Sequence, residues 1–128
     1  MVSWNNLDTL SSYKELADVK PACLTEVMSG DNGAERVKNY SIPMAAGLSY
    51  NYASKQVDEN VLAALEKLAD EAQLADKLKA LYNGEVVNTG EKRLVLHHMT
   101  RGQLGDAVEA DGVDKRTFYK TQQERIAE

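Results

Sequence analysis

Apolar residues recur at spacings of three and four along most of the chain, which is the period of amphipathic helices. The pattern predicts helices over residues 7–19, 21–28, 34–40 and 58–82, and a closing helix over residues 115–128. We therefore expect an α+β fold that is predominantly helical, with about five helices. The closing helix carries no glycine or other stop signal at its end, so the sequence is expected to be a piece of a longer protein.

The longest predicted helix, over residues 58–82, changes its apolar face partway along. Asp58 is expected to cap its first turn. The leucines after Gln73 are displaced by two positions from the stripe that precedes them, which predicts a bend or break near residues 73–75. A straight helix that is buried on two faces stays open as the alternative.

Between residues 41 and 53 the apolar period changes to two, which predicts a β-hairpin around Ala46-Gly47. The alternating apolar residues are Ile42, Met44, Leu48, Tyr50 and Tyr52. Pro43 has no N–H to donate, so its strand is expected at an edge. Since a lone hairpin is marginal in water, this one must lie on helices or join a sheet supplied from elsewhere.

Polar segments predict the connections. Residues 29–33 are dense in turn formers and are expected to form a loop, after which the helix over residues 34–40 turns Val37 and Tyr40 inward. Residues 102–106 are expected to open a further loop. A short extended turn follows near residues 107–113, and Asp114 then caps the closing helix.

The stretch from Gly84 to Arg101 predicts a helix end, a short connection and a new helix. Glycine most readily adopts the left-handed conformation that closes a helix, so Gly84 is expected to end the preceding one. Asn88 lies three residues before Glu91, which is the spacing of a capping box. A second helix is therefore expected to begin near Asn88.

On that helix, Arg93, His97 and Arg101 would form a basic stripe. The stripe suits phosphate, because Arg presents a planar fork, although helical Arg and His beside an apolar face more often pair with carboxylates of the same protein. Zinc helices place two histidines four residues apart, whereas His97 and His98 are adjacent and point about 100° apart. We expect no metal site.

Composition narrows the function classes. The length of 128 residues suits a single domain over residues 1–128. A formal net charge of −5 without a basic run disfavours nucleic acid as a partner. The single Cys23 cannot form an internal disulfide, and neither a secretory signal nor a membrane-spanning run is visible. The cytoplasm is the expected location.

The stretch that contains Gly84 resembles the phosphoglucose isomerase (glucose-6-phosphate isomerase) family. The family pattern is Asn-Gly-Glu, a further Asn, and then Glu-x-Arg-x-Val-Leu-His with a later Arg. The matching residues are Asn83, Gly84, Glu85, Asn88, Glu91, Arg93, Val95, Leu96, His97 and Arg101. Residues 51–55 are also similar to an Asp-Tyr-Ser-Lys turn of these isomerases, with Asn51 in place of Asp and one residue inserted.

The resemblance implies the amino-terminal part of an αβα sugar isomerase, which interconverts glucose 6-phosphate and fructose 6-phosphate in glycolysis and gluconeogenesis. In the family a glutamate, a histidine and a lysine act on the sugar, and all three follow the region matched here. No catalytic residue, cofactor or metal is therefore carried over to this chain. The residues expected to have structural roles in the motif are Gly84, Glu85, Asn88, Glu91, Arg93, Leu96, His97 and Arg101.

The partners implied by the resemblance are the remainder of the isomerase chain and, for the complete enzyme, a sugar phosphate and the second subunit of a homodimer. A free-standing helical module that docks a partner through its hairpin edge or Tyr-rich strand is the alternative. An extended backbone over residues 88–100, or a complete acid–base pocket within the chain, would contradict the family interpretation.

Overall fold

The computed structural model describes residues 2–102 and 106–127. Within them, six α-helices and three antiparallel two-stranded sheets form, which confirms a predominantly helical α+β fold. The helices are α1 (Ser11–Asp18), α2 (Leu24–Val27), α3 (Gly30–Asn39), α4 (Glu59–Glu71), α5 (Leu74–Tyr82) and α6 (Lys115–Ala127). Short 3-10 helices lie at Leu7–Thr9, Ala45–Gly47 and His97–Arg101. The paired strands are β1 (Ser41–Pro43) with β2 (Ser49–Asn51), β3 (Val86–Asn88) with β4 (Arg93–Leu94), and β5 (Glu109–Ala110) with β6 (Val113–Asp114).

The chain divides into two compact units, Asp8–Leu68 and the residues that flank it. The apolar residues that are fully buried among those described are Ala22, Ala53 and Ala64 in the first unit, and Ala72, Ala80, Met99 and Val108 in the second. Since burial stabilises roughly in proportion to apolar area, the alanines contribute less to these cores than Met99 and Val108 do. The single domain expected over residues 1–128 stays a prediction.

The break in the long helix is confirmed. The Asp58 side chain accepts a hydrogen bond of 2.9 Å from the Val61 amide and caps α4, as expected. Gln73 then adopts a left-handed conformation with φ +55° between α4 and α5. A straight helix over these residues is therefore excluded.

The hairpin expected over residues 41–53 is also confirmed, with Ile42 opposite Tyr50. At the other end of the chain, the Asp114 carboxylate accepts a hydrogen bond of 3.2 Å from the Thr117 amide, so the predicted cap of α6 is present. Each of these features is set by residues close in sequence, which is why the local pattern was sufficient.

The loop expected over residues 29–33 is wrong, because α3 begins at Gly30. Ser, Asp and Asn favour helix N-termini as well as turns, so composition alone does not separate the two. Gly33 is buried inside the helix, where a Cβ atom would overlap the carbonyl oxygen of Met28. The absence of a side chain at Gly33 thus lets α3 approach α2.

The helix expected to begin near Asn88 is also wrong. Residues 86–94 form the β3–β4 hairpin, with Val86 opposite Leu94. The Asn88 side chain does accept a hydrogen bond of 3.2 Å from the Glu91 amide, but it closes a turn instead of capping a helix. The same Asn-x-x-Glu contact serves both structures, and the β-branched Val86-Val87 pair favours a strand before it.

The loop expected over residues 102–106 lies in part outside the described residues, since residues 103–105 fall in the gap. Among the described residues, none of the helices has the length and apolar content that crossing a bilayer requires.

Candidate functional site

Gly84 ends α5 with φ +71°. The Glu85 amide donates to the carbonyl of Ala80 over 2.9 Å, and the Gly84 amide donates to Leu81 over 3.2 Å, so the last turn of the helix is closed by backbone bonds. A Cβ atom at Gly84 would come within 2.9 Å of Val108 Cγ2 and closer still to Cγ1. Both the backbone angle and the packing therefore require glycine at this motif position.

Three motif residues form an exposed local network at the β3–β4 turn. The Asn88 amide group donates to Glu91 over 3.2 Å, and Arg93 lies 3.9 Å from the same carboxylate. The Arg93 and Glu91 side chains are 76% and 64% exposed, and exposed ion pairs contribute about 0–1 kcal/mol. The network fixes the turn locally and adds little to stability.

The expected basic stripe is not formed, because Arg93 lies in β4 while His97 and Arg101 lie at the two ends of a 3-10 helix. Leu96, which precedes that helix, is half-buried. The 3-10 helix is held by Met99, which is only 1% exposed. It borders a cavity of about 360 Å³ lined by Tyr82, His97, His98, Thr100 and Arg101.

His98 is the most unusual side chain of this cavity. Its ring lies 4.7 Å from that of Tyr82, tilted by 54°, and both ring nitrogens are buried without a hydrogen-bond partner among the described residues. Burial lowers the pKa of His98, the positive charge of Arg116 lowers it further, and the nearby Val95 carbonyl opposes them by a smaller amount. Burial and Arg116 therefore favour the neutral imidazole.

This shift predicts that the segment loses stability in mild acid. When the pKa of an imidazole is lowered by folding, the unfolded chain takes up the proton at a higher pH than the folded chain does. The free energy of unfolding is therefore largest above the pKa of a free histidine, about 6.5, and decreases as the pH drops through it. We expect the urea midpoint of unfolding to decrease as the pH is lowered from about 7.5 to about 5.5. His98→Gln should make this decrease smaller. The exposed neighbour supplies the matched variant, His97→Gln, which should retain it. An equal response of both variants would contradict the assignment to His98.

Two arginines are buried among the described residues, and the apolar pattern predicted neither; Arg116 is the first. It is 6% exposed and donates from Nε to the carbonyl of Asp106 and from Nη2 to that of Tyr82. It thereby ties the start of α6 to the end of α5, directly before Gly84. Its Nη1 has no partner among the described residues.

Arg36 is the second buried arginine and lies in the Asp8–Leu68 unit. It is 7% exposed. Its Nε donates to the carbonyl of Ala53 over 2.8 Å, and its Nη2 donates to those of Lys55 and Val57 over 3.1 and 2.6 Å. The guanidinium also lies 4.0 Å from the centre of the Tyr40 ring. One side chain thus holds the whole segment between β2 and α4, which includes the turn that resembles the family.

Asn51 explains the departure from the family's Asp in that turn. Its side-chain oxygen accepts a hydrogen bond of 3.1 Å from the Ala53 amide, as a carboxylate also could. Its side-chain nitrogen donates to the carbonyl of Val37 over 2.6 Å. Because an Asp carboxylate has no donor, this link to α3 exists only with Asn.

A signal for Arg36 was present in the sequence. Gly33, Arg36 and Tyr40 are spaced by three and four, so they share one helix face, and it is this face that points inward. Arg36 and Gly33 are buried, whereas Val37 is 46% exposed. The expectation that Val37 points inward is wrong. Val37 is apolar, but it lies outside the inward face that Gly33, Arg36 and Tyr40 form.

The cavity brings together side chains of mixed chemistry. Its described lining includes two histidines, a threonine, a tyrosine and an arginine, and no carboxylate is among these residues. Across the described parts of the chain, no three His, Cys, Asp or Glu side chains come together as a group that could hold a metal ion. The structural roles expected for the motif residues stay a prediction.

Comparison with known proteins identifies relatives of the chain. The sequence profile of the phosphoglucose isomerase family matches residues 51–128. A protein of Treponema denticola named glucose-6-phosphate isomerase is 42% identical over 132 residues, which cover 99% of this chain and 25% of that protein. A protein of Borreliella afzelii with the same name is 41% identical over 128 residues, covering 98% of this chain and 23% of that protein. The chain therefore spans about a quarter of the length of these relatives.

The matches also decide how the motif is to be interpreted. An extended backbone over residues 88–100 was expected to contradict the family interpretation, and the β3–β4 hairpin is in part such a backbone. That criterion was wrong, because it tied the resemblance to a conformation. The resemblance is carried by the identities of the residues, and the profile match includes all of those from Asn83 to Arg101.

Proposed function

Because the chain belongs to the phosphoglucose isomerase family, we propose that it is the amino-terminal segment of an isomerase that interconverts glucose 6-phosphate and fructose 6-phosphate. The observation that carries this proposal is the family match over residues 51–128, which includes the motif from Asn83 to Arg101. The identity of about 40% to glucose-6-phosphate isomerases over nearly the whole chain supports it.

Within that enzyme we assign the segment a structural role. Aldose–ketose isomerisation moves a proton between adjacent carbons, so it needs a positioned base and groups that stabilise the enediol oxygens. The cavity beside the motif has no carboxylate among its described lining residues, and Glu85 and Glu91 are exposed. The reactive groups and the phosphate anchor are therefore supplied by the remainder of the polypeptide.

The other properties of the complete enzyme follow from the same proposal. It takes a sugar phosphate as substrate, acts as a homodimer in the cytoplasm and needs no cofactor. Its remaining polypeptide completes the αβα architecture of the family, and the segment packs against it. The net charge of −5 is consistent with a protein that does not bind nucleic acid.

A coupled assay tests the assignment of roles. The 128-residue chain, supplied with fructose 6-phosphate and an enzyme that reduces a nicotinamide cofactor when glucose 6-phosphate appears, should give no turnover above the blank. The complete isomerase that carries this segment should turn over under the same conditions. Turnover by the 128-residue chain would contradict a structural role, and an inactive complete polypeptide would contradict the isomerase assignment.

Gel filtration separates this proposal from a free-standing interaction module. A segment that has lost its contact surface should self-associate, because apolar patches beyond a few hundred Å² are seldom left open. Phe118 and Ile126 on α6 are 53% and 85% exposed, which favours self-association. A monodisperse monomer would favour the module instead.

A further inference from the structure

The hairpin of β1 and β2 has one polar and one apolar face. Side chains alternate along a strand, which places the polar residues Ser41, Ser49 and Asn51 on one side. The apolar face consists of Ile42, Met44, Leu48 and Tyr50. These four side chains are 52%, 55%, 65% and 48% exposed. A two-stranded sheet is marginal without packing on one face, so this face needs a cover.

Helix α4 supplies only part of that cover. Between α4 and the apolar face lies an open groove of about 240 Å³, lined by Ile42, Tyr50, Tyr52, Lys55, Val57, Leu62 and Leu65. Lys55 is the only charged residue among these. Leu65, which faces the groove from α4, is itself 41% exposed. The groove is therefore apolar, with one positive charge in its lining.

The solvent-accessible surface of the chain is larger than expected for compact units of its mass. The chain exposes 9730 Å², whereas two independent compact units of about 7 kDa each would expose roughly 8,100 Å² in total. In the Asp8–Leu68 unit, the described apolar residues that are fully buried are all alanines. Several large apolar side chains of this unit, among them Ile42, Met44 and Leu48, are instead exposed.

We propose that an apolar element of the remaining isomerase polypeptide packs on this face and fills the groove, an inference that rests on the proposed function. The chain spans 25% and 23% of two full-length relatives, so about three quarters of the polypeptide is available to supply the occupant. A covalently linked element acts at an effective concentration of about millimolar. An element that can reach the face is therefore favoured over a second copy or a separate protein.

The hairpin also indicates how the occupant binds. The Met44 amide donates to Leu48 across the hairpin, and successive amides in a strand alternate between its edges, so the nitrogen of Pro43 faces the outer edge of β1. Pro43 has no hydrogen to donate there, which disfavours strand addition at this edge. At β1 the occupant therefore binds through side chains on the face, with apolar groups in the groove and a carboxylate beside Lys55.

Photo-crosslinking in the complete isomerase tests this assignment. Leu48, the most exposed residue of the apolar face, is replaced by the photoreactive residue p-benzoylphenylalanine. Ser49, its neighbour on the polar face, is replaced in the same way as the matched control. The isomerase assay on the same samples shows that each variant is folded, and denaturing gels with peptide mapping identify what was cross-linked.

We expect the Leu48 variant to stay at the mass of one chain and to be cross-linked to a peptide from beyond this segment, with far less cross-linking at Ser49. A band of twice the chain mass would assign the face to a second copy and overturn the inference. Equal, low cross-linking at both positions in an active enzyme would show an open face and also overturn it. Absence of activity in the unsubstituted complete polypeptide would instead overturn the proposed function.

Discussion

Replacing Arg36 by methionine should destabilise the segment by about 2–4 kcal/mol, because a buried acceptor left without a partner costs about 1–3 kcal/mol and a partly buried one less. Three acceptors depend on this one guanidinium: the carbonyl of Ala53 in a buried contact, and those of Lys55 and Val57 in partly buried ones. Methionine fills much of the same volume. The loss of stability therefore reflects the missing hydrogen bonds and the missing contact with Tyr40 more than a newly formed cavity.

The effect of Arg36→Met is expected at a defined place in the chain. Hydrogen exchange, followed by mass spectrometry in the complete polypeptide of the proposed isomerase, should accelerate over residues 52–58, because the bonds that hold this segment closed are lost. The denaturation midpoint should fall in parallel. Arg36→Lys should recover only part of the loss, because an ammonium on a flexible stem does not reproduce the planar fork.

Lys38→Met is the matched control for Arg36→Met. Lys38 lies on the same helix and is exposed. Replacing it by methionine should therefore change the free energy of unfolding by less than about 0.5 kcal/mol. Similar losses for the two variants would show that the three carbonyls are satisfied by other groups when Arg36 is absent, and would contradict the role assigned to it.

Replacing Gly84 by alanine should cost about 2–5 kcal/mol, the second large effect. The left-handed backbone at φ +71° costs a residue with a Cβ about 1–2 kcal/mol. Overlap of that Cβ with the Val108 side chain adds about 1–3 kcal/mol, as overpacking in a filled site does. The measurement is urea denaturation of the complete polypeptide of the proposed isomerase, followed by a probe within the segment.

Gly112 separates the two contributions to the cost at Gly84. Its φ of +72° is nearly the same, but nothing lies within 4 Å of the position of its Cβ. Gly112→Ala should therefore cost only the backbone share, about 1–2 kcal/mol. Val108→Ala combined with Gly84→Ala should be less destabilising than the sum of the two single changes, since the smaller side chain removes the overlap. Additive effects would contradict a clash with Val108.

Whether the sequence pattern predicted a feature correctly depended on how far apart along the chain its interacting residues lie. The caps at Asp58 and Asp114 and the closure of α5 at Gly84 involve groups within about four residues of each other. The hairpin at Ser41–Asn51 is also local, because its register follows from alternation and a short turn. All were predicted, and all are present.

The helix predicted from Asn88 failed although its capping contact exists. The Asn88 to Glu91 hydrogen bond is made, but the local pattern does not specify whether the chain then continues as a helix or returns as a strand. That choice depends on pairing between Val86 and Leu94, which lie on either side of the turn. Propensity is a weak guide when longer-range pairing competes with it.

By itself, the sequence determined the family, because the spaced identities of the motif do not depend on the conformation they adopt. It also determined the helix ends and the first hairpin, since their groups are neighbours along the chain. Only the tertiary structure decided the roles of Arg36 and Arg116, which bind backbone carbonyls 10 to 34 residues away. Every residue has a carbonyl, so such an acceptor leaves no mark in the sequence.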